Sequence, residues 1–308
     1  MCRTADLRQA VLARNDDSAR ALRAELAGRG VIAVNLLSSP GSGKTALLEV
    51  ELALARERGV PVAALTADLA TENDARRLAR TGVPVQQVYT DGLCHLEAAT
   101  LRGYLAGWLP AEARVLFVEN VGNLVCPASY DLGESLRVTL ASVTEGEDKP
   151  LKYPGAFGLA QLVLVTKADL AEAVEFDRDT FLANVARVNP GVEVVFTSAR
   201  RGQGAGALLE RALAVCEGAR AHEPVMARTP DHPHPHPHPH PEQDPVRHTQ
   251  PYARPHAHPE PHPAGGTEPA AAPALSVSGP PPRTAPDPPA APRSPAVPRH
   301  GHPVADQR

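Results

Sequence analysis

Cysteine is scarce in this sequence, with four residues in 308, at positions 2, 94, 126 and 216. That number and that scatter exclude a disulfide framework, and a reducing compartment would leave the thiols available as ligands. No run approaches the ~18 uninterrupted apolar residues of a membrane-crossing helix, so no membrane span is expected. The opening MCRTADLRQAVLARNDD is charged and amphipathic rather than a secretory leader, and the protein reads as cytoplasmic. The net charge is only -4, and no long basic stripe occurs before the tail, which argues against nucleic acid as a partner.

Aromatic residues nearly vanish after Ala221. Tyr252 is the only one among the last 88 residues, whereas 25 of the 33 prolines and 12 of the 13 histidines lie there. Such a segment cannot bury enough apolar surface to offset the entropy of ordering it, so 221–308 is read as a disordered His/Pro-rich tail. What precedes it is rich in Leu, Val and Ala and long enough for one α/β core. It divides into an N-terminal helix within 1–29 and a larger domain over 30–220.

Leu7, Val11, Leu12, Ala19, Leu22 and Leu26 recur at roughly helical spacing and stop at Gly28 and Gly30, which predicts an amphipathic helix over 5–28. The period then changes. Short apolar runs at Val31–Leu37, Val62–Leu65, Val83–Val88, Val115–Val118, Leu162–Thr166 and Val192–Phe196 alternate with helical patterns, among them Ala46–Arg58 and Gly204–Ala219. This alternation predicts an α/β fold with a mostly parallel, doubly wound sheet.

Ser38-Ser-Pro-Gly-Ser-Gly-Lys-Thr45 lies between the first strand and the helix that follows, the context a phosphate loop requires. Small residues let the amides of Gly41, Ser42, Gly43 and Lys44 close around phosphates at a helix N-terminus, with Ala46 completing the nucleotide-binding set. Lys44 reaches the β and γ phosphates and Thr45 ligates Mg²⁺. Ser38 stands where a glycine is usual. Asp68 and Glu119 follow apolar runs, at strand ends that line the ligand crevice of such a sheet, and with Thr45 they form the expected Mg²⁺ set. Glu119-Asn-Val-Gly122 reads as a nucleotide-responsive segment in which the Gly122 amide nears the γ-phosphate.

Thr166-Lys167-Ala168-Asp169 follows another apolar run. A carboxylate at Asp169 accepts both N–H donors on the Watson–Crick edge of guanine, which adenine cannot offer, so GTP is the expected nucleotide. Ser198 and Ala199, in Ser198-Ala199-Arg200, resemble the last base-contacting loop of GTPases.

Cys94 and His95 are adjacent, and Cys126 lies downstream of Gly122. Two thiolates and an imidazole suit Zn²⁺ or Ni²⁺, and three protein ligands leave a position for exchange or for completion by a partner. A lone cysteine is otherwise a small buried hydrophobe. In the tail, His232, His234, His236, His238 and His240 alternate with prolines, and further histidines stand at 248, 256, 258, 262, 300 and 302. Neutral imidazoles at this density on a stiff, solvated chain bind several metal ions weakly, which reads as nickel storage; the alternative is an inert low-complexity linker.

Four stretches carry a resemblance. Asn35 to Thr45, Cys94-His-Leu-Glu-Ala98, Glu119-Asn-Val-Gly-Asn-Leu-Val-Cys-Pro127 and Ser142 to Pro154 resemble the hydrogenase nickel incorporation GTPase family, HypB, of the SIMIBI class of P-loop GTPases, across about residues 30–215. The resemblance implies a GTPase that dimerises with nucleotide and holds Ni²⁺ or Zn²⁺ at Cys94, His95 and Cys126. It also implies that nickel passes, with a small zinc-bearing partner of the HypA type, to the hydrogenase large subunit. Two departures stand out. The cysteine-rich N-terminal nickel motif of some members is reduced to Cys2, and the histidine-rich segment follows the GTPase domain instead of preceding it. The charged run Glu145–Lys152 is either a solvated loop or, on the family likeness, a contact with nucleotide or a second subunit. Two other readings remain: a urease-type nickel GTPase, of which a contiguous Cys-Pro-His motif is expected, and a nickel storage module with a vestigial GTPase.

Overall fold

The computed structural model describes residues 2–68, 72–90 and 92–227, with backbone alone at 2–8 and at Asp68. The chain divides into two units, Met1–His236 and Pro237–Arg308, and every described residue belongs to the first. His232, His234, His236, His238 and His240 lie outside the described residues.

In chain order the elements are α1 (Cys2–Gly28), β1 (Ile32–Ser38), α2 (Lys44–Glu57), β2 (Val62–Asp68), α3 (Asn73–Ala79), β3 (Val85–Tyr89), α4 (Ala98–Leu105) and β4 (Val115–Gly122). There follow β5 (Leu136–Ser142), α5 (Lys149–Lys152), α6 (Pro154–Gly158), β6 (Leu162–Thr166), α7 (Arg178–Val188), β7 (Val194–Phe196) and α8 (Ala207–Cys216), with short 3-10 turns at Pro127–Ser129, Val143–Glu145 and Ala168–Leu170. The seven strands form one sheet in the order β3-β2-β4-β1-β5-β6-β7, and every pairing is parallel.

A parallel sheet is covered on both faces, so its strands are apolar nearly throughout. One face packs Leu48 and Leu52 of α2, Leu78 of α3 and Leu208 of α8 against Val34, Phe117 and Val138. On the other face Leu22 of α1 and Leu101 of α4 lie over Leu65 and Leu116, while Phe157 of α6 and Phe181 of α7 lie over Val163 and Val165. At ~1.5–3 kcal/mol for each fully buried Leu or Phe, packing decides the short elements. The five residues of α6 are far fewer than the ~12–15 an isolated helix needs, and fully buried Phe157 fixes them in place.

The parallel sheet is as the sequence predicts, and the structure departs from the sequence reading in three places. A central strand, β5, is absent from that reading because Arg137 and Thr139 interrupt its apolar run, yet it pairs directly with β1. The strand expected to end at Val118 continues to Gly122, held between β1 and β2. Among the described side chains of α1 the buried ones are Asn15, Ala19, Leu22 and Leu26, whereas Val11 is exposed; the helix packs on α4 and β1.

Candidate functional site

At the end of β1 the chain turns through Gly41 and Gly43, with φ of 71° and 95°, into α2. This left-handed backbone is what glycine supplies without a steric penalty. No side chain caps α2, so its first N–H groups, at the positive end of the helix dipole, face the loop where an anion fits. Lys44 donates to Ser38 Oγ at 2.8 Å, Ser42 Oγ donates to the same oxygen at 2.5 Å, and Ser38 Oγ donates to the Ser39 carbonyl at 2.7 Å. Ser38 is fully buried. The serine in the usual glycine position is thus the hub that gathers the loop's polar groups.

Thr45 donates its hydroxyl to Glu119 Oε1 at 2.7 Å, and Glu119 is 4% exposed. A hydroxyl and a carboxylate oxygen are the hard donors that Mg²⁺ selects, and these two already meet. The register of β2 on β4 pairs Thr66 with Glu119, which sets the backbone of Asp68 just beyond it at the same sheet end; its side chain is not among those described. Glu119, Asn120 and Val121 are buried strand residues, so Glu119–Gly122 is not a free loop. A Cβ on Gly122 would sit 3.1 Å from Pro40 Cα, so glycine lets β4 and the phosphate loop meet backbone to backbone.

Thr166, where the guanine motif usually has Asn, donates its hydroxyl to the Ser42 carbonyl, tying the Thr166–Asp169 segment to the phosphate loop. Lys167, at φ 56°, donates to the Gly41 carbonyl at 2.8 Å. Asp169 Oδ1 accepts the Ser198 hydroxyl at 2.6 Å. That bond, with Arg201 and Arg200 nearby, holds the Asp169 carboxyl below the ordinary carboxylate range, so it stays an acceptor. A cavity of about 230 Å³ opens here, lined by Ala46, Lys167, Asp169, Leu170, Ser198 and Ala199 among others. Every residue expected to select the base borders one cavity. The side-chain bond from Ser198 to Asp169 goes beyond the sequence reading, which likens that loop to a base-contacting one without joining it to Asp169.

Cys94 and Cys126 come together from separate loops: the Cys126 thiol beside Cys94, with burial second, pushes the Cys94 thiol up. His95 Nδ1 is 3.8 Å from Cys94 Sγ, and its ring stacks on Tyr130 at 3.9 Å. Its other nitrogen, Nε2, is buried, has no hydrogen-bond partner among the described residues and lies 3.6 Å from Glu97 Oε1. Among the described residues no group of three His, Cys, Asp or Glu side chains is arranged to hold a metal ion. The chain therefore presents a soft, incompletely satisfied donor set that does not close on an ion by itself. Leu93 and Val125, each next to one of the cysteines, are exposed.

The run Glu145–Lys152 is an ordered structure, not a solvated loop. Ser142 and Glu145 form a capping box, Lys149 pairs with Glu145 at 2.8 Å with both largely buried, and the Glu147 carboxylate accepts the Asp177 amide at 2.8 Å.

A family model described as the CobW/HypB/UreG nucleotide-binding domain matches residues 32–196. The chain belongs to that family. Within it, the chain is 46% identical over 200 residues to the hydrogenase maturation factor HypB of Azotobacter vinelandii, a match covering 65% of this chain and 66% of that one. The chain thus spans about two thirds of that relative's length. The crystal structure of HypB from Helicobacter pylori in complex with nickel is similar at 35% identity and a TM-score of 0.60, over 66% of this chain and 94% of that one. HypB from Archaeoglobus fulgidus is similar at 32% identity and a TM-score of 0.61, over 67% of this chain and all of that one. The HypB likeness read from the motifs is borne out, as is the α/β P-loop fold. Among the described residues no helix is long and apolar enough to cross a membrane.

Proposed function

We propose that this protein is a GTP-hydrolysing nickel carrier that supports nickel insertion into the large subunit of [NiFe] hydrogenase. One observation supports this most. The stretch from Glu119 to Cys126 has at one end the carboxylate that takes the Thr45 hydroxyl, and at the other a thiol beside Cys94. Nucleotide chemistry and a soft metal-binding set thus share a few residues of one chain segment, the arrangement that coupling between two sites requires.

In the hydrolytic reading, water attacks the γ-phosphorus in line, the bond from that phosphorus to the β–γ bridging oxygen breaks, and GDP and phosphate leave. Lys44 exchanges its Ser38 partner for phosphate oxygens, the loop amides and the N-terminus of α2 hold the remaining charge, and Asp169 accepts the two guanine donors. Thr45 and Glu119, with Asp68, would hold Mg²⁺, which when bound disperses charge on the phosphate oxygens. Catalysis is positioning and charge stabilisation, and no general base is assigned.

Nickel is the cargo in this reading. Cys94, His95 and Cys126 take Ni²⁺, and Zn²⁺ competes for the same soft donors. The open geometry favours completion by a second copy of the chain in a GTP-promoted dimer, or by a small zinc-bearing partner of the HypA type. The tail histidines, His232 to His240 foremost, would store nickel in the cytoplasm without setting the affinity of the cysteine site.

The test is GTP hydrolysis by the purified chain and by Lys44→Ala, with nickel titrations of both. We expect clear turnover in the wild type and a rate lower by about 10²-fold or more in the variant, the scale of losing one aligned charge donor. Equal, negligible rates would leave only a nickel storage protein.

A further inference from the structure

Arg137 lies in the middle of the sheet, on β5 beside Asn35 of β1, with its side chain 12% exposed. Neither nucleotide chemistry nor metal ligation accounts for it. A guanidinium buried without good partners costs several kcal/mol, and the partners here are specific. Nε donates to Glu134 Oε1 at 2.6 Å, Nη1 to the Ala128 carbonyl at 3.0 Å and Nη2 to the Tyr130 carbonyl at 3.0 Å. Ala128 belongs to the turn that opens at Cys126, whose carbonyl takes the Ser129 amide at 3.1 Å. Tyr130 is the ring on which His95 stacks. One planar fork thus braces the backbone behind both Cys126 and His95.

The other end of this group reaches the nucleotide site. Glu134, itself buried, accepts from Asn35 Nδ2 at 3.5 Å and from the Leu132 amide at 2.7 Å. Asn35, fully buried, accepts from Asn120 Nδ2 at 3.2 Å. Asn120 follows Glu119, the partner of Thr45, and β1 runs from Asn35 into Ser38 and the phosphate loop. Asn120, Asn35, Glu134 and Arg137 form a path of polar contacts, the longest that of Asn35 with Glu134 at 3.5 Å, through an interior where each lost partner is costly.

We infer that Arg137 is a positioning residue for the Cys94, His95 and Cys126 cluster, and that the path through Glu134, Asn35 and Asn120 links that cluster to the nucleotide state. The inference rests on the metal reading of the cluster. Arg137 acts only through the carbonyls it holds, as residues behind metal ligands commonly do. Linkage requires that whatever factor the nucleotide imposes on nickel affinity, nickel imposes on nucleotide affinity.

The test titrates the full chain with Ni²⁺ in GDP and in a non-hydrolysable GTP analogue, following the near-ultraviolet thiolate-to-nickel absorption, to which tail imidazoles contribute nothing. Arg137→Lys keeps a charge against Glu134 but loses the fork. The double variant Glu134→Gln/Arg137→Gln removes both charges together, so that neither is left buried alone. In both, we expect nickel affinity read at the thiolate band to fall by about 10-fold or more and the difference between nucleotide states to disappear. GDP affinity and nickel-free GTP hydrolysis stay at the wild-type level. Wild-type nickel affinity and nucleotide dependence in the folded variants would overturn the inference, as would a parallel loss of GTP hydrolysis, which marks general destabilisation. A wild-type chain whose nickel affinity ignores the nucleotide overturns the link. Cys126→Ala separates the two claims: a band present in the wild type and lost there sustains the metal reading, whatever the Arg137 variants do. A wild type with no thiolate band overturns both.

Discussion

The ammonium of Lys44 lies 2.8 Å from the hydroxyl of Ser38, a residue with no solvent exposure. Phosphate oxygens must replace that partner when nucleotide binds, so Ser38 stabilises the empty loop. Ser38→Ala removes the acceptor that both Lys44 and Ser42 use while keeping the backbone. A hydrogen bond to a charged group contributes about 1.5–3 kcal/mol, part of which returns as nucleotide affinity. The variant is expected to melt earlier without nucleotide, to melt near the wild type with GDP, and to bind GDP about 3–10-fold tighter by calorimetry. Weaker GDP binding would mean that Ser38 serves the occupied loop instead.

The residue proposed to select guanine is Asp169, whose Oδ1 accepts the Ser198 hydroxyl. Asp169→Asn keeps the shape but turns one acceptor into a donor, which opposes the donors of guanine and matches a base carrying a carbonyl at that edge. GTP affinity is expected to fall by about 10²-fold or more while xanthosine triphosphate gains. Because the Asp169 carboxyl is held below the ordinary range, it is ionised throughout the neutral and mildly acid range. Base preference in the wild type is therefore expected to stay constant from about pH 7.5 to 5.5 in competition binding.

Much of this was legible in the sequence because the signals were local. The phosphate loop, the Thr166–Asp169 segment and the apolar runs each specify a short piece of backbone by residue type, and the cavity beside Asp169 joins the residues so read. What escaped was what depends on residues far apart in the chain. β5 was hidden by Arg137, whose charge looks wrong for a central strand until Glu134 and the carbonyls of Ala128 and Tyr130 are seen to satisfy it. Ser38 and Thr166 looked like weakened motif positions, yet their hydroxyls bond to Lys44 and to the Ser42 carbonyl across the fold. Cys94 and Cys126 are grouped by residue type in the sequence and lie beside each other in the fold, but the stacking of His95 on Tyr130 has no local signature.

Glu51 of α2 is fully buried and accepts the amides of Gly206 and Leu209, both at 3.0 Å, so it holds the start of α8 from across the core. Burial raises its carboxyl pKa in spite of those bonds. A carboxyl raised in the folded state stabilises the fold fully below its unfolded value, and that stabilisation is lost as pH rises through the folded one. Glu51→Gln removes the titration. Measured by urea unfolding, the stability of the wild type relative to Glu51→Gln should therefore be greater at about pH 5 than at about pH 8. Glu51→Ala leaves both amides and a cavity unfilled and is expected to cost about 2–4 kcal/mol at either pH. An opposite pH trend would mean that the amides outweigh burial and lower the pKa.

Gly122 closes β4 against Pro40, where an added Cβ would lie 3.1 Å from the Pro40 Cα and 3.2 Å from its nitrogen. Both neighbours are backbone, and the phosphate loop that contains Pro40 is held by Ser38 and Thr166, so the methyl of Gly122→Ala cannot be relieved by turning a side chain. The expected result is a displaced loop in an otherwise intact fold, because the strand conformation of residue 122 suits alanine as well as glycine. GTP affinity and hydrolysis are expected to drop together by about 10-fold or more, since small misplacements at a reacting site are costly. Unfolding stability should change by only about 1–2 kcal/mol, the ordinary scale of overpacking. Kinetics of the Gly122→Ala variant equal to those of the wild type would show that the loop gives way freely, and that β4 is not tightly held against the nucleotide site.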